Sequence, residues 1–253
     1  MTPVEILILF AAGVGGGVVN ALAGGGTLIT FPVLLGMGLP PKLANATSQV
    51  ALWPGRLASV FAQMAEFRKL GRGAWVSVAI GLIGGFAGAQ LLIAMSPAAF
   101  RALVPWLLLV ASLLFGFSKP ITHWLNTHAG SGGRSPAMKA LGRLFEFAAC
   151  GYGGFFGAGL GVIMMAGYAL AGIQDLKQAN VLKNLMGVVI TTSSALTFIV
   201  RGEVAWGPAG AVLVGAMLGG WFGGRLASHV PDRPMRILIT AAGLILAGVY
   251  FLR

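Results

Sequence analysis

The chain has 253 residues, of which 57% are hydrophobic and only 9% are charged. Water-soluble domains carry about 25% charged residues, so this composition excludes a soluble protein and predicts an all-α polytopic membrane protein. The net charge of +11 is assigned to basic residues that hold loops in the cytoplasm, and no nucleic-acid partner is expected.

The first apolar stretch, near residues 4–37, is broken by Gly24, Gly25 and Gly26, which Thr27 follows. Glycine lets a chain turn and approach a ligand closely. A helix that starts after such a turn points free N–H groups and the positive end of its dipole inward. Two such helix starts facing each other would bind an anion. These four residues are therefore predicted to bind substrate, the alternative being that the glycines only let helices pack.

The second apolar stretch, near residues 43–65, opens with the polar residues Asn45, Thr47 and Gln49 and carries Arg56 far inside. Polar groups are costly within a bilayer and are often functional there. All four are predicted to bind substrate, although Asn45 also suits a helix cap. Arg56 is the best candidate for an anion contact, because guanidinium presents several donors in a planar fork. The alternative is an arginine that reaches the lipid headgroups.

The chain then repeats its own pattern. After apolar stretches near 73–95 and 98–118 comes a polar linker at 119–138. The glycine cluster that begins at Gly84 returns at Gly219, 135 residues later. This spacing predicts an internal duplication, with an N-terminal repeat at 1–118 and a C-terminal repeat at 139–253 in one integral membrane domain. For the repeated cluster, helix packing is favoured over a ligand site.

The second copy of the broken segment is less regular than the first. Gly159 and Gly161 stand in place of the run of three glycines, and Asn180, Lys183 and Asn184 open the following helix. All five are predicted to bind substrate. Capping is the strong alternative for Asn180 and is weaker for Lys183 and Asn184, which lie deeper.

The basic residues predict how the two halves are oriented. If each half is a Gly-broken re-entrant or hairpin segment plus three transmembrane helices, the halves are inverted, and most Lys and Arg residues fall on one side. This inverted arrangement places both termini outside and the 119–138 linker in the cytoplasm. Broken helices in paired positions of inverted halves are the sequence mark of a transporter's binding site.

Few residues offer acid, metal or catalytic chemistry. Glu146 is the only acid outside loops and helix ends, so a relay of buried carboxylates is not indicated, and uniport, anion exchange and coupling through Glu146 stay open. The single Cys150 and the scattered His residues predict no metal or cofactor. No Ser/His or Asp pair lies within an apolar stretch, so the chain is not expected to be an enzyme.

The first broken segment resembles the TauE/SafE sulfite exporter family, also called TSUP. The motifs are Ala23-Gly24-Gly25-Gly26-Thr27, Pro32, Gly38-Leu39-Pro40-Pro41 and Ala44-Asn45-Ala46-Thr47-Ser48. This resemblance implies a secondary transporter that exports a small sulfur-containing anion, sulfite or an organosulfonate such as sulfoacetate, across the cytoplasmic (cell inner) membrane. Lys183 replaces the small hydroxyl residue expected opposite Ser48, which predicts an asymmetric site with a cation from the second half.

Two other functions stay open at this point. One is a small-anion channel or a permease for another organic anion, and the other is a membrane assembly subunit that transports nothing. The partners expected are a small anionic substrate and membrane lipid. A homodimer is neither required nor excluded.

Overall fold

A computed structural model describes residues 1–62, 64–67, 73–118, 120–121, 136–170, 173, 175–226 and 232–252. The principal helices in these ranges are α1 (Pro3–Ala23), α2 (Thr27–Gly36), α3 (Pro41–Ala62), α4 (Met64–Phe67), α5 (Gly73–Ala94), α6 (Pro97–Gly116), α7 (Pro136–Phe155), α8 (Leu160–Leu170), α9 (Leu176–Val200), α10 (Trp206–Leu226) and α11 (Asp232–Phe251). The described residues contain no β-strand. The predicted all-helical fold is therefore confirmed.

Four of these helices are long and apolar enough to cross a membrane. The spans are Pro3–Ala21, Gly73–Ala94, Pro97–Gly116 and Gln178–Val200. Each has close to the 20 residues that cover the hydrocarbon core of a bilayer as a helix. Large apolar side chains such as Trp75, Trp106 and Trp221 are exposed on the outside of the bundle, as expected of a surface that faces lipid. The chain is a multi-pass membrane protein.

Each half begins with a long helix, a glycine break and a short helix. In the first half α1 ends at Gly24, whose φ of 74° is left-handed, and α2 starts three residues later. In the second half α7 gives way to Gly157 and Gly159, with φ of 74° and 73°, before α8 starts. A left-handed residue ends a helix at little cost only when it is glycine. Both predicted breaks are present for this reason.

The helices of the two halves pack in matching pairs. The first long helix of one half lies along the last but one helix of the other, so that α1 packs on α10 and α7 packs on α5. Equivalent helices also meet, α3 with α9 and α6 with α11. This exchange of partners agrees with the predicted duplication, which stays a prediction. The boundaries predicted for the repeats stay a prediction, and most of the 119–138 linker lies outside the described residues.

The equivalent helices α3 and α9 run in opposite directions where they touch. Near the start of α3, Gln49 accepts a hydrogen bond from Ser194, which lies near the end of α9. Arg56, farther along α3, donates to Gly187, which precedes Ser194 in α9. The order of contacts is thus reversed between the two helices.

The repeated glycine clusters lie between helices of this chain. A Cβ atom added to Gly84 would lie 2.6 Å from the Cβ of Cys150 on α7, and one added to Gly223 would lie 2.8 Å from the Cα of Val18 on α1. Real Cβ atoms do not approach this closely, so only glycine allows these helix pairs to come together. These clusters serve packing within the chain, as the sequence favoured.

Candidate anion-binding site

A small cavity lies where the two glycine breaks meet, and it is called the central cavity below. A Cβ atom added to Gly24 of the first break would lie 3.1 Å from the Cα of Gly161 at the start of α8. The cavity is lined by Asn20, Ala21, Gly24, Gly55, Arg56, Leu160, Gly161, Met164, Lys183, Asn184 and Gly187. Its volume of about 30 Å³ has room for about one or two water molecules.

Arg56 reaches the central cavity from α3 and is held by α9. Its Nη1 donates to the Thr191 hydroxyl at 2.7 Å and to the Gly187 carbonyl at 3.4 Å. The Thr191 hydroxyl in turn donates to the same carbonyl at 2.6 Å. Thr191 is the residue that the duplication pairs with Arg56, so this contact joins equivalent positions of the two halves. The guanidinium is positioned by these bonds before any ligand arrives.

Lys183 reaches the same cavity from α9. It is only 8% exposed, and its ammonium has no hydrogen-bond or ion-pair partner in the described part of the chain. A buried charge is costly unless an opposite charge compensates it. The lining contains no Asp or Glu, so the central cavity holds two cations and no acid.

In the first half, the position that the sequence pairs with Lys183 carries a hydroxyl that is already hydrogen-bonded. Ser48, which the duplication pairs with Lys183, shares a hydrogen bond of 2.5 Å with the Thr30 hydroxyl. Both residues are fully buried. The two halves therefore differ at this position, with a satisfied hydroxyl pair in one and an uncompensated ammonium in the other.

The helix ends at the central cavity are of opposite polarity. Leu160 and Gly161 place the N-terminal end of α8 on its wall, whereas Asn20 and Ala21 belong to the C-terminal end of α1. Only an N-terminal end favours a negative ligand. The glycine breaks predicted two facing helix starts at the site. The cavity has one of them, the start of α8, because α2 begins beyond the cavity at Thr27.

Three residues predicted to bind substrate lie behind the first break. A Cβ on Gly25 would lie 2.7 Å from the Phe115 ring, and one on Gly26 would lie 3.0 Å from the Cβ of Asn20. Thr27 is buried, and its hydroxyl has no hydrogen-bond partner among the described residues. None of the three lines the central cavity, because the chain has already turned at Gly24.

Asn45 and Gln49 secure the second break and do not line the cavity. The Asn45 amide donates to the Phe155 carbonyl at 2.7 Å, and the Gln49 amide donates to the Gly154 carbonyl at 3.2 Å. Carbonyls at a helix end have no partner within the helix and must be satisfied inside a membrane. These two amides, predicted as ligand contacts, satisfy the end of α7.

The other predicted residues outside the cavity also have structural positions. The Thr47 hydroxyl accepts a hydrogen bond of 3.0 Å from the Ala205 N–H ahead of α10. Gly159 packs near Ala111 of α6, and its carbonyl accepts the N–H of Val162 at 3.0 Å. Asn180 is exposed near the start of α9. Five of the predicted residues remain together at the cavity, and they are Gly24, Arg56, Gly161, Lys183 and Asn184.

Comparison with known proteins identifies the family. The model of the family described as "Sulfite exporter TauE/SafE" matches residues 9–251. This chain belongs to the TauE/SafE family. The resemblance found in the first broken segment is thereby confirmed over nearly the whole chain.

Relatives of this TauE/SafE protein carry transporter names. A "Probable membrane transporter protein" of Haemophilus influenzae is 28% identical over 241 residues, which are 93% of this chain and 91% of that protein. The "Probable membrane transporter protein YfcA" of Escherichia coli K12 is 26% identical over 250 residues, 95% of this chain and 88% of that protein. A third, "ORF9" of a Sinorhizobium species, is 27% identical over 248 residues, 96% of this chain and 90% of that protein. No solved structure matches the chain.

Six further residues line the cavity of this TauE/SafE protein without having been predicted to bind substrate, namely Asn20, Ala21, Gly55, Leu160, Met164 and Gly187. Asn20 could have been predicted as a site residue, because it is a single amide within the apolar run of α1 and polar groups in such runs are often functional. Gly55 and Gly187 are small residues that leave space beside Arg56. Met164 could not have been predicted as a site residue, because the sequence does not distinguish it from the other apolar residues of α8.

Proposed function

We propose that this protein is a secondary transporter that exports a small sulfur-containing anion, sulfite or an organosulfonate such as sulfoacetate, across the cytoplasmic membrane by alternating access. The observation that carries this proposal is Lys183, which is 8% exposed and lines the central cavity with Arg56, while no acid is among the described lining residues. An anion between Lys183 and Arg56 would supply a counter-charge. The membrane transporter function itself follows from the family and its relatives.

The donors around the cavity suit an oxyanion. Arg56 presents a planar fork whose Nη1 is fixed by α9, and Lys183 adds a compact charge with three donors. The N-terminal end of α8 contributes a favourable dipole. Oxygens on one sulfur atom accept several charge-assisted hydrogen bonds at once, and the family description supports a sulfur oxyanion.

The size of the cavity favours the more compact of the two ligand classes. A volume of about 30 Å³ has room for about one or two water molecules. The cavity must therefore widen for either ligand, and it must widen less for sulfite than for the larger sulfoacetate. We place sulfite first among the substrates for this reason.

Alternating access is supported by the packing of equivalent helices. Like α3 and α9, helices α6 and α11 run in opposite directions, since Trp106 packs on Phe251 and Gly116 lies near Thr240. Antiparallel equivalents fit two inverted halves that rock about a site at their junction. The orientation with both termini outside stays a proposal that rests on the charges alone.

The proposal is tested by uptake of labelled sulfite into proteoliposomes, with sulfate, sulfoacetate and taurine as competitors. We expect saturable uptake that unlabelled sulfite inside the vesicles accelerates. The exposed Arg101→Gln variant serves as a control that removes a cation outside the cavity and should transport like the wild type. Uptake that neither saturates nor shows counterflow would instead indicate a channel. Folded protein with no flux of any of these anions would contradict the proposal.

A further inference from the structure

A buried acid lies in the middle of α7, away from the central cavity. One oxygen of Glu146 accepts a hydrogen bond of 2.6 Å from Arg143, which also donates to the Ser77 hydroxyl of α5 at 2.9 Å. The other oxygen, Oε1, is buried and has no hydrogen-bond partner among the described residues. A buried carboxylate oxygen without a donor is a place where a proton can bind.

Helix α8 connects this acid to the central cavity. The buried Tyr168 of α8 lies within electrostatic reach of Glu146, and its hydroxyl has no hydrogen-bond partner among the described residues. One turn earlier, Met164 lines the cavity. Successive turns of a helix are about 5.4 Å apart, so Tyr168 beside the acid and Met164 at the cavity lie one turn apart on α8.

The ionisable groups around Glu146 are few. On α7 they are Arg143 and Cys150, and on α8 Tyr168. Helix α5 has no ionisable residue, and α9 carries Lys177 and Lys183, of which Lys183 faces the cavity. Among the other acids whose side chains the structure describes, Asp175 is exposed, Glu5 is half-buried in the first turn of α1 and Glu203 is half-buried in a loop. Among the acids whose side chains the structure describes, Glu146 is thus the buried one.

We propose that Glu146 is a proton-binding site and that its protonation strengthens anion binding in the central cavity. This inference rests on the proposed function. A proton from water would convert the carboxylate to a neutral acid while Arg143 stays charged, so the pair would change from neutral to a net positive charge. Because linkage is reciprocal, the anion would also strengthen proton binding.

The size of this coupling follows from Coulomb's law. A unit charge added about 10 Å from an anion changes its affinity by about tenfold at an effective dielectric constant of about 20. Closer approach or drier surroundings would increase the factor.

The test compares the Kd for sulfite of the wild type and Glu146→Gln from the acid to the alkaline end of the pH range in which both proteins stay folded. The glutamine keeps an oxygen acceptor for Arg143 and resembles the protonated acid. Taking the ratio of the two Kd values cancels the titration of sulfite itself. We expect equal affinities at the acid end and about tenfold weaker binding by the wild type at the alkaline end. Glu203→Gln should follow the wild type throughout. A ratio that does not change with pH would overturn the proposal.

Infrared spectroscopy of the protein without ligand gives an independent reading. The wild type should show a carboxylic-acid carbonyl band that titrates and that Glu146→Gln abolishes. A wild-type spectrum with no such band over this pH range would overturn the proton site whatever the ligand is. If the band titrates but neither protein binds sulfite, the proton site stands and the proposed substrate fails.

Discussion

Replacing Lys183 by methionine should make the protein more stable and reduce its ligand response. Lys183 is 8% exposed, and the described residues offer its ammonium no partner. Methionine has a similar unbranched shape and fills the same space. A lysine at the centre of a membrane helix costs about 2.5 to 3.5 kcal/mol, and the cavity recovers part of this. We therefore expect the free energy of unfolding to rise by about 1 to 3 kcal/mol.

The same change should weaken sulfite binding. A hydrogen bond to a charged group contributes about 1.5 to 3 kcal/mol, which corresponds to a loss of affinity of about 10- to 150-fold. Thermal unfolding in detergent, with and without sulfite, measures both effects. Sulfite at about 100 times its wild-type Kd should stabilise the wild type by about 2.7 kcal/mol and Lys183→Met by only about 0.3 to 1.4 kcal/mol.

Lys42→Met is the matched control for this experiment. The Lys42 ammonium donates to the carbonyls of Ile93 and Met95, each at 2.9 Å, at the end of α5. Its removal should lower stability, by about 1 to 2 kcal/mol, and keep the response to sulfite. The reasoning is refuted if Lys183→Met is less stable than the wild type and is still stabilised by sulfite as much as the wild type.

Three further changes probe the breaks and the orientation. Gly24→Ala should reduce stability and sulfite binding more than Gly202→Ala, because both positions are left-handed but only Gly24 contacts the second glycine break. Melting curves and sulfite Kd values measure this difference, and equal losses in the two variants would contradict it. Gln49→Leu should lower stability by about 1 to 3 kcal/mol, because the buried Gly154 carbonyl loses its hydrogen-bond donor. The sulfite Kd of the folded variant should stay that of the wild type, and an altered Kd would make Gln49 a ligand contact. Labelling intact cells with an impermeant thiol reagent should modify Thr2→Cys and spare Ser131→Cys, and the reverse pattern would invert the orientation.

The sequence predicted the helices and breaks well because their causes are local. Apolar runs of membrane length must be helical, and a left-handed turn must contain glycine. Arg56 and Lys183 could be found in the same way, since a charge deep in an apolar run is costly wherever the chain folds.

The role of the amides as ligand contacts stays a prediction, and the structure adds hydrogen-bond partners that are far away in the chain. Asn45 and Gln49 bind carbonyls that are 110 and 105 residues distant. A sequence shows that these side chains need partners, but it does not show whether a ligand or a helix end provides them. Similarly, three adjacent glycines do not reveal that Gly24 turns toward the cavity while Gly25 packs on Phe115.

The central claim is that Arg56 and Lys183 hold the same anion, and a double-mutant cycle on the sulfite Kd tests it most directly. The proteins are the wild type, Arg56→Gln, Lys183→Met and the double variant. If both cations contact one ligand, the losses should be non-additive by about 0.5 to 3 kcal/mol. Affinities of both single variants equal to that of the wild type would contradict the account.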